Sequence, residues 1–563
     1  MARGAGAGSA GGEAAGVAIP LSHLSDSPPY TGSVKEFVLV TDPELEAAPF
    51  SPTKPARPWL LGAGLAVTIV AAVKLAVNLY AAPRYGYFVD ELYYLDCARH
   101  LDWGYVDQPP LIALVAWLVR GTLGSSLFAL HLLPVLSGVA RVVFAGLIAR
   151  ELGGRSMAQG MAALCVLLAP GMLALDHLFS MNTFEPLFWM GCAWLLIRMV
   201  RTGETRLWIL FGVVAGVGLQ NKYSMAIFAF GLLAGLLLTG QRRLLFTRWF
   251  WIGGAIAFLI FLPNLLWNIH YHFPFLELQQ NIKHSGRNVA MPPLTFLFQE
   301  TLAMLPLSLP VWLGGLWFFF FRAEGRSFRF LGWAWLLTAL VFITLNPRVY
   351  YLFPAFPILF AGGAVLWERW LDRPGLGWIK WVYGAAMVLM GALLAPTLLP
   401  LLSPETYIRY AAATHLQPPP IETHKLGPLP QLFADQFGWQ EMADTVAGVY
   451  NGLPADVRAR TCIYGQNYGQ AGAINFFGPR YGLPSAISGH QSYFLWGPRG
   501  CTGESMIVMG GRQDDLESRF ASVRKMAHLA HPYSMPYEQI DIWYCQGLRQ
   551  PLSQIWPSVK NWD

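Results

Sequence analysis

Apolar residues in this chain come in long unbroken runs; they do not alternate and do not recur at the spacing of a single helix face. From about residue 58 to residue 400 such runs follow one another at 58–82, 126–149, 157–175, 183–200, 206–220, 223–240, 249–267, 295–321, 328–345, 350–368 and 378–400. A helix needs about twenty apolar residues to cross the hydrocarbon core of a bilayer. The pattern therefore predicts a polytopic α-helical membrane protein with about eleven transmembrane helices. The tightest join falls at Asn221-Lys222, where two runs meet with almost no loop. Residues 1–57 are rich in Gly, Ala, Ser and Pro, carry no apolar stretch near the start, and read as a flexible cytoplasmic tail, not a cleaved leader. Beyond residue 402 the pattern changes, as charges, turn residues and short alternating segments return. Thr461-Cys462-Ile463-Tyr464, Ser505-Met506-Ile507-Val508-Met509 and Ile540-Asp541-Ile542-Trp543-Tyr544 read as strands, and 435–450 and 514–527 as helices. The expectation is a soluble α/β domain over 403–563, large enough for a core of its own, behind a transmembrane domain over 58–402 with outer loops at 83–125 and 268–294.

Composition sharpens this. Only 13% of the residues are charged and 54% are hydrophobic, against roughly 25% charged in soluble domains. That excludes a disordered chain, and 6 Cys in 563 residues exclude a disulfide scaffold. The net charge of +6 is too small to argue for nucleic acid. Its placement is more informative. With the N-terminus in the cytoplasm, the loops on that side hold 16 Lys and Arg, and the opposite loops hold 7 (Arg84, Arg99, Arg120, Lys222, Lys283, Arg287 and Arg348). This is the positive-inside bias. An odd number of spans then puts residues beyond 400 on the outer face. A bacterial inner membrane, with the periplasm outside, fits this arrangement. An outer compartment permits a disulfide among Cys462, Cys501 and Cys545; Cys501–Cys545 is the expected pair, with three buried thiols as the alternative.

The outer loop after the first run gathers the candidate chemistry. Residues 83–110 hold five carboxylates (Asp90, Glu91, Asp96, Asp102, Asp107) among aromatic residues. Burial among aromatics raises a carboxylate's pKa and a nearby cation lowers it, so this loop can hold a general base; an acidic loop can also simply be solvated. Lys222 and Arg348 lie at outer ends of runs beside Tyr223, Tyr350 and Tyr351. They suit a phosphate, or they snorkel to the interface. Glu185 reads either as a second site acid or as an acid complementing a helix N-terminus. His270, His272 and His284 share a loop but lack a metal-ligand spacing. Lys74, inside the first run, is an intramembrane charge, which reads as functional or as snorkelling outward. In the outer domain, Asn467, Tyr468, His490 and Trp496 suit sugar recognition, and equally suit turns.

Four motifs in order resemble the GT-C glycosyltransferases of the protein O-mannosyltransferase and lipid A aminoarabinose transferase type. They are Asp90-Glu91 with Asp107-Gln108-Pro109-Pro110; Phe179-Ser180-Met181-Asn182-Thr183-Phe184-Glu185-Pro186; Lys222-Tyr223-Ser224; and Arg348-Val349-Tyr350-Tyr351-Leu352-Phe353-Pro354. The resemblance covers roughly residues 58–400. It implies transfer of a sugar from a polyprenyl-phosphate donor to an acceptor hydroxyl on a protein, lipid or glycan at the outer face, with inversion. Asp90 is then the general base and Glu91 its companion. Lys222, Arg348, Tyr350, Tyr351 and Arg84 meet the donor phosphate, while Asp107, Glu185 and Asp176 serve as further acids or sugar contacts. No cofactor or metal is required, although a divalent cation is compatible. Gln108 stands where the aminoarabinose branch has a lysine; if that lysine meets phosphate in the relatives, Gln108 cannot replace its charge, while the acid at Asp107 is retained. A transporter or flippase of lipid-linked sugars, or a non-catalytic glycan-binding assembly protein, shares many of these features. The lack of an inverted repeat and the acids crowded on one side argue against the transporter.

Overall fold

The computed structural model describes residues 63–563 except 288, 290, 346, 347 and 421. The predicted tail over 1–57 and the start of the first run lie outside the described residues. Every other apolar run is helical. Among the described residues six helices are long and apolar enough to cross a membrane unaided. Three further pairs qualify only when joined across a bend: Ser156–Leu168 with Pro170–His177 (63°), Ser224–Leu237 with Gly240–Phe246 (115°), and Pro293–Ala303 with Pro306–Phe321 (99°). Pro170 and Pro306 open the second member of two of these pairs; proline lacks the N–H that would continue the ladder. The other two predicted spans are Met181–Thr202, which carries Glu185, Arg198 and Arg201, and Trp208–Asn221, which has 14 residues. The eleven runs are thus eleven helical segments, of which six to nine meet a membrane's demand by length and composition.

The helices approach closely at small residues, as packing without a hydrophobic drive between lipid-immersed helices requires. A Cβ on Gly212 would lie 2.1 Å from the Gly253 carbonyl oxygen, and one on Gly363 would lie 1.8 Å from that of Val311. Deep in the bundle Trp189 stacks on Phe228 with ring centroids 4.2 Å apart. Lys74 does not snorkel: it and Arg141 both pair with Asp176, and all three are fully buried.

The C-terminal part carries a five-stranded sheet with β1 Thr461–Gly465, β2 Ile487–Ser488, β3 Ser505–Met509, β4 Phe520–His528 and β5 Asp541–Leu548, in the order β2-β1-β3-β5-β4. β1 runs parallel to β2 and β3; β5 is antiparallel to β3 and β4. The three predicted strands are present. The predicted helix over 514–527 is not: Gln513–Arg519 is helical, and the rest forms β4. β4 is an edge strand whose outward residues include Arg524 and Lys525, a charged rim that discourages further pairing. The disulfide joins Cys462 to Cys501, with Cα atoms 5.9 Å apart, and Cys545 is a buried free thiol. The expected Cys501–Cys545 pair is therefore replaced. Cys462 on β1 and Cys545 on β5 lie on either side of Met506 of β3, so Cys501 reaches only the first.

Residues beyond 403 keep one apolar cluster of their own, around Ile487, Met506, Val508, Phe520 and Trp543, and share a second with the segment after the first span. Leu92, Tyr93 and Leu95 of the first outer loop share one apolar cluster with Trp439, Met442, Ile474, Ile507 and Ile542. Glycines permit the approach. A Cβ on Gly469 would meet Val89 Cγ2 at 2.4 Å, and one on Gly472 would lie 3.1 Å from the Leu92 backbone. The stretch that follows Asn467 and Tyr468 is, in large part, this packing surface.

Candidate active site

The site grows from the turn after the first span. Tyr85 adopts a left-handed backbone (φ 63°) and lodges its ring against Phe433 and Phe437, at 5.3 and 5.0 Å. The chain then enters the helix Val89–Cys97, whose start is closed by Glu91 reaching back to the Phe88 N–H at 3.0 Å. The Val89 N–H donates to the Asp435 carbonyl at 3.1 Å, which ties this helix start to the C-terminal part.

Asp90, half-buried in the first turn of this helix, accepts a hydrogen bond from the Tyr468 hydroxyl at 2.7 Å. Burial raises its pKa above the ordinary carboxylate value, while the Tyr468 bond and the positive charges of Arg348 and Arg287 pull it back. Tyr468 is itself held in place, its ring 5.0 Å from Tyr93 and 4.9 Å from His490. The His490 Nδ1 accepts from the Tyr468 backbone N–H at 3.1 Å, and burial lowers its pKa to about 4, so it serves as a neutral prop. Asp107 faces the same space: burial pushes its pKa up to about 7, the Tyr93 hydroxyl at 2.9 Å opposes the rise, and the charge of Asp90 adds to it.

Glu91 is not exposed to a substrate. Fully buried, it accepts from the Phe179 N–H at 2.7 Å and the His131 Nε2 at 2.8 Å as well as from Phe88. These contacts fix the start of the helix that carries Asp90.

The basic side of the site is built by a helix break. At Lys222 the backbone is extended (φ −161°, ψ 137°), which ends the helix Trp208–Asn221 and turns the side chain inward. Its Nζ donates to Asn182 Oδ1 at 2.8 Å and Glu185 Oε2 at 2.9 Å, and lies 4.1 and 5.3 Å from the ring centroids of Tyr351 and Tyr350. Glu185 also accepts from Ser224. Arg348 pairs with Glu422, and so does Arg287, at 3.0 Å. Burial opposes ionisation of Glu422, but Arg348 and Arg287 outweigh it and hold its carboxyl below the usual range.

The structure thus brings together Asp90, Asp107, Tyr468, Lys222, Glu185, Arg348, Tyr350 and Tyr351. It leaves out others. Arg84 donates to the Leu401 carbonyl at 3.2 Å and lies over the Tyr80 ring, so it staples the first span to the 401 segment. Asp176, packed against Gly138, serves as counter-ion to Lys74 and Arg141 with no room for a sugar. Asn467 caps the helix Tyr468–Phe477 and donates to Glu538 at 2.7 Å. Trp496 stacks on His100 at 4.4 Å. Gln108 is fully buried beside Cys97, so the position of the missing lysine points into packing. Sequence reasoning missed Arg287, Glu422 and Asp435. Asp435, buried and held by the Tyr537 hydroxyl at 3.0 Å, has its pKa pushed up to about 8 by burial, with the charges of Asp90 and Glu422 adding to it. No group of three His, Cys, Asp or Glu side chains is poised to hold a metal ion among the described residues.

Known proteins share parts of this design. Residues 107–267 match the dolichyl-phosphate-mannose-protein mannosyltransferase family. The lipid A galacturonosyltransferase RgtD of Rhizobium johnstonii is 28% identical over 200 residues, which is 35% of this chain and 42% of that protein. The match thus spans less than half the length of that relative. ArnT from Cupriavidus metallidurans bound to undecaprenyl phosphate superposes with a TM-score of 0.57 at 15% identity, covering 85% of this chain and 97% of that one. Its apo form gives 0.55 at 16% identity, covering 86% and 98%. At such identities the likeness to ArnT is one of fold. The 107–267 segment is thus similar in sequence to the dolichyl-phosphate-mannose-protein mannosyltransferase family, and the fold is similar to that of ArnT.

Proposed function

We propose that this multi-pass membrane protein transfers a sugar from a polyprenyl-phosphate donor to an acceptor hydroxyl at the extracytoplasmic face, with inversion at the anomeric carbon. The acceptor oxygen attacks that carbon, Asp90 takes the hydroxyl proton, and the polyprenyl phosphate leaves. Lys222, Arg348 and Arg287 meet the charge that grows on the leaving phosphate. These cations can meet a single lipid phosphate without a divalent ion, and the reading does not depend on one.

One observation carries the proposal: Asp90 lies in the electrostatic field of Arg348 and Arg287 while Tyr468 holds one of its oxygens. A candidate proton acceptor and candidate anion-binding cations therefore stand near one another beside the membrane spans. A carboxylate made more basic by burial is the better base for an alcohol, provided it stays ionised, which the cations and Tyr468 favour. The undecaprenyl phosphate bound by ArnT supports a polyprenyl donor, and the named activity of RgtD supports a cell-envelope lipid among the acceptors. We place the N-terminus in the cytoplasm and residues 403–563 in the periplasm of a bacterial inner membrane, on the loop charge bias.

Asp90→Asn tests this. Transfer is expected to fall by about 10²–10⁴, while undecaprenyl phosphate binding stays unchanged. Persisting transfer would overturn the assignment of the base. A lipid-linked sugar carried across liposomes by that variant would favour a transporter instead.

A further inference from the structure

We infer that the Glu422 carboxylate occupies the position the donor phosphate takes during turnover, and that it competes with phosphate for Arg287 and Arg348. The inference rests on the reading of Arg348 as a phosphate ligand and adds a tuning element to that site.

The geometry is that of an anion site already filled. Glu422 Oε1 accepts from Arg287 Nε at 3.1 Å, lies 3.0 Å from Arg287 Nη2, and pairs with Arg348; Oε2 accepts from Gln431 Nε2 at 3.0 Å. Guanidinium groups take carboxylate and phosphate oxygens by the same forked hydrogen bonds. The carboxylate side chain is only 3% exposed, yet the arginine side chains it holds are 24% and 23% exposed. The two arginines therefore keep a partly exposed edge, by which an incoming phosphate can reach them and displace the carboxylate. Glu422 comes from the segment after Pro418-Pro419-Pro420, which joins the membrane part to the sheet, and not from the helices that supply Lys222. Arg287 Nη1 also donates to the Asp563 main-chain oxygen at 2.9 Å, and Glu422 draws on donors of both arginines, so an incoming anion is bound less strongly than by a bare pair of arginines.

This has a kinetic purpose. The donor phosphate is a diester with one charge; the departing polyprenyl phosphate is a monoester with up to two. Bare arginines would hold the product more tightly than the substrate. A resident carboxylate that reclaims them weakens both by the same exchange, and so loosens a product that would otherwise be held too long.

The test uses the full chain in nanodiscs, with undecaprenyl phosphate as the probe and binding as the readout. Glu422→Gln keeps the shape and one acceptor oxygen but removes the competing charge. It is expected to bind the probe about tenfold more tightly than the unaltered chain. Equal or weaker binding would mean that Glu422 positions the arginines for phosphate, and the proposal falls. Arg348→Ala, measured alongside, is expected to lose at least about tenfold; unchanged binding there sinks the parent reading, whatever Glu422→Gln does. Intrinsic tryptophan fluorescence verifies folding of each variant. If Glu422→Gln does not fold, Glu422→Asp is used, with a gain of about threefold expected because the shorter arm grips less well; no gain overturns the inference.

Discussion

Asp176 is expected to matter more to stability than either of its cations. It lies between Lys74 of the first span and Arg141 of the helix Leu127–Glu151, and all three side chains are fully buried. When all three are ionised the group carries one net positive charge. Asp176→Asn leaves two like charges in a dry interior with no counter-ion, and removing one member of a buried ion pair costs about 3–5 kcal/mol. Lys74→Met leaves a neutral Arg141–Asp176 pair and fills the same volume with an unbranched chain, so its cost is about 1 kcal/mol or less, of either sign. The consequence reaches the site. Asp176 precedes His177, which bonds Gln436 at 3.1 Å, and Phe179, whose N–H holds Glu91 at 2.7 Å. Asp176→Asn should therefore also loosen the helix bearing Asp90. The measurement is denaturant unfolding in mixed micelles, followed by the fluorescence of the 22 tryptophans. Should Lys74→Met destabilise the protein as much as Asp176→Asn, the charge argument is wrong and the three residues act through packing alone.

Further outcomes follow from the same contacts. Tyr468→Phe removes the donor that lowers the Asp90 pKa; the base works ionised, so the acidic limb of the pH–rate profile moves to higher pH and the rate at a pH on that limb drops on the order of tenfold. An unmoved limb contradicts the role of Tyr468. Gly472→Val drives a branched side chain into the Leu92 backbone, and limited proteolysis should then cut residues 403–563 more readily than in the parent chain. The Cys462–Cys501 bond closes a 39-residue separation, worth about 4 kcal/mol in the chain-entropy account. Cys462→Ser should lower the unfolding midpoint, and alkylation after mild reduction should label Cys462 and Cys501 before the buried Cys545. Lys222→Met should abolish undecaprenyl phosphate binding while Lys222→Arg retains part of it, and equal binding by both would make Lys222 a structural partner of Glu185.

The features readable in the sequence are the local ones. Apolar runs announce helices because bilayer thickness fixes their length, and Asp90 stands out as an acid in an aromatic loop beside the first run. The bends at Pro170 and Pro306 leave a visible proline, but whether proline kinks a span or ends it is decided by neighbours. The pairing of Arg287 with Glu422 joins residues 135 apart, and Glu422 follows three prolines with no periodic signal around it. Residues 520–527 follow an acid-rich helical start, and only the offered edge of β5 makes them a strand. The pairing of Cys501 likewise depends on sheet order, which local spacing does not encode. Tyr468 was visible as an aromatic fit for sugar; its bond to Asp90 was not, because it depends on glycines that let two distant segments touch.

That last bond sets a schedule. Asp90 and Tyr468 are 378 residues apart in the chain. During synthesis the acid emerges early, long before its tyrosine has been made. Until the later residues have been translated, moved to the same side of the bilayer and folded onto the first loop, the nascent polypeptide can insert its spans but holds an unfinished cleft. The last stage of folding thereby works as a safety catch: an incomplete chain carries Asp90 without the tyrosine that holds it.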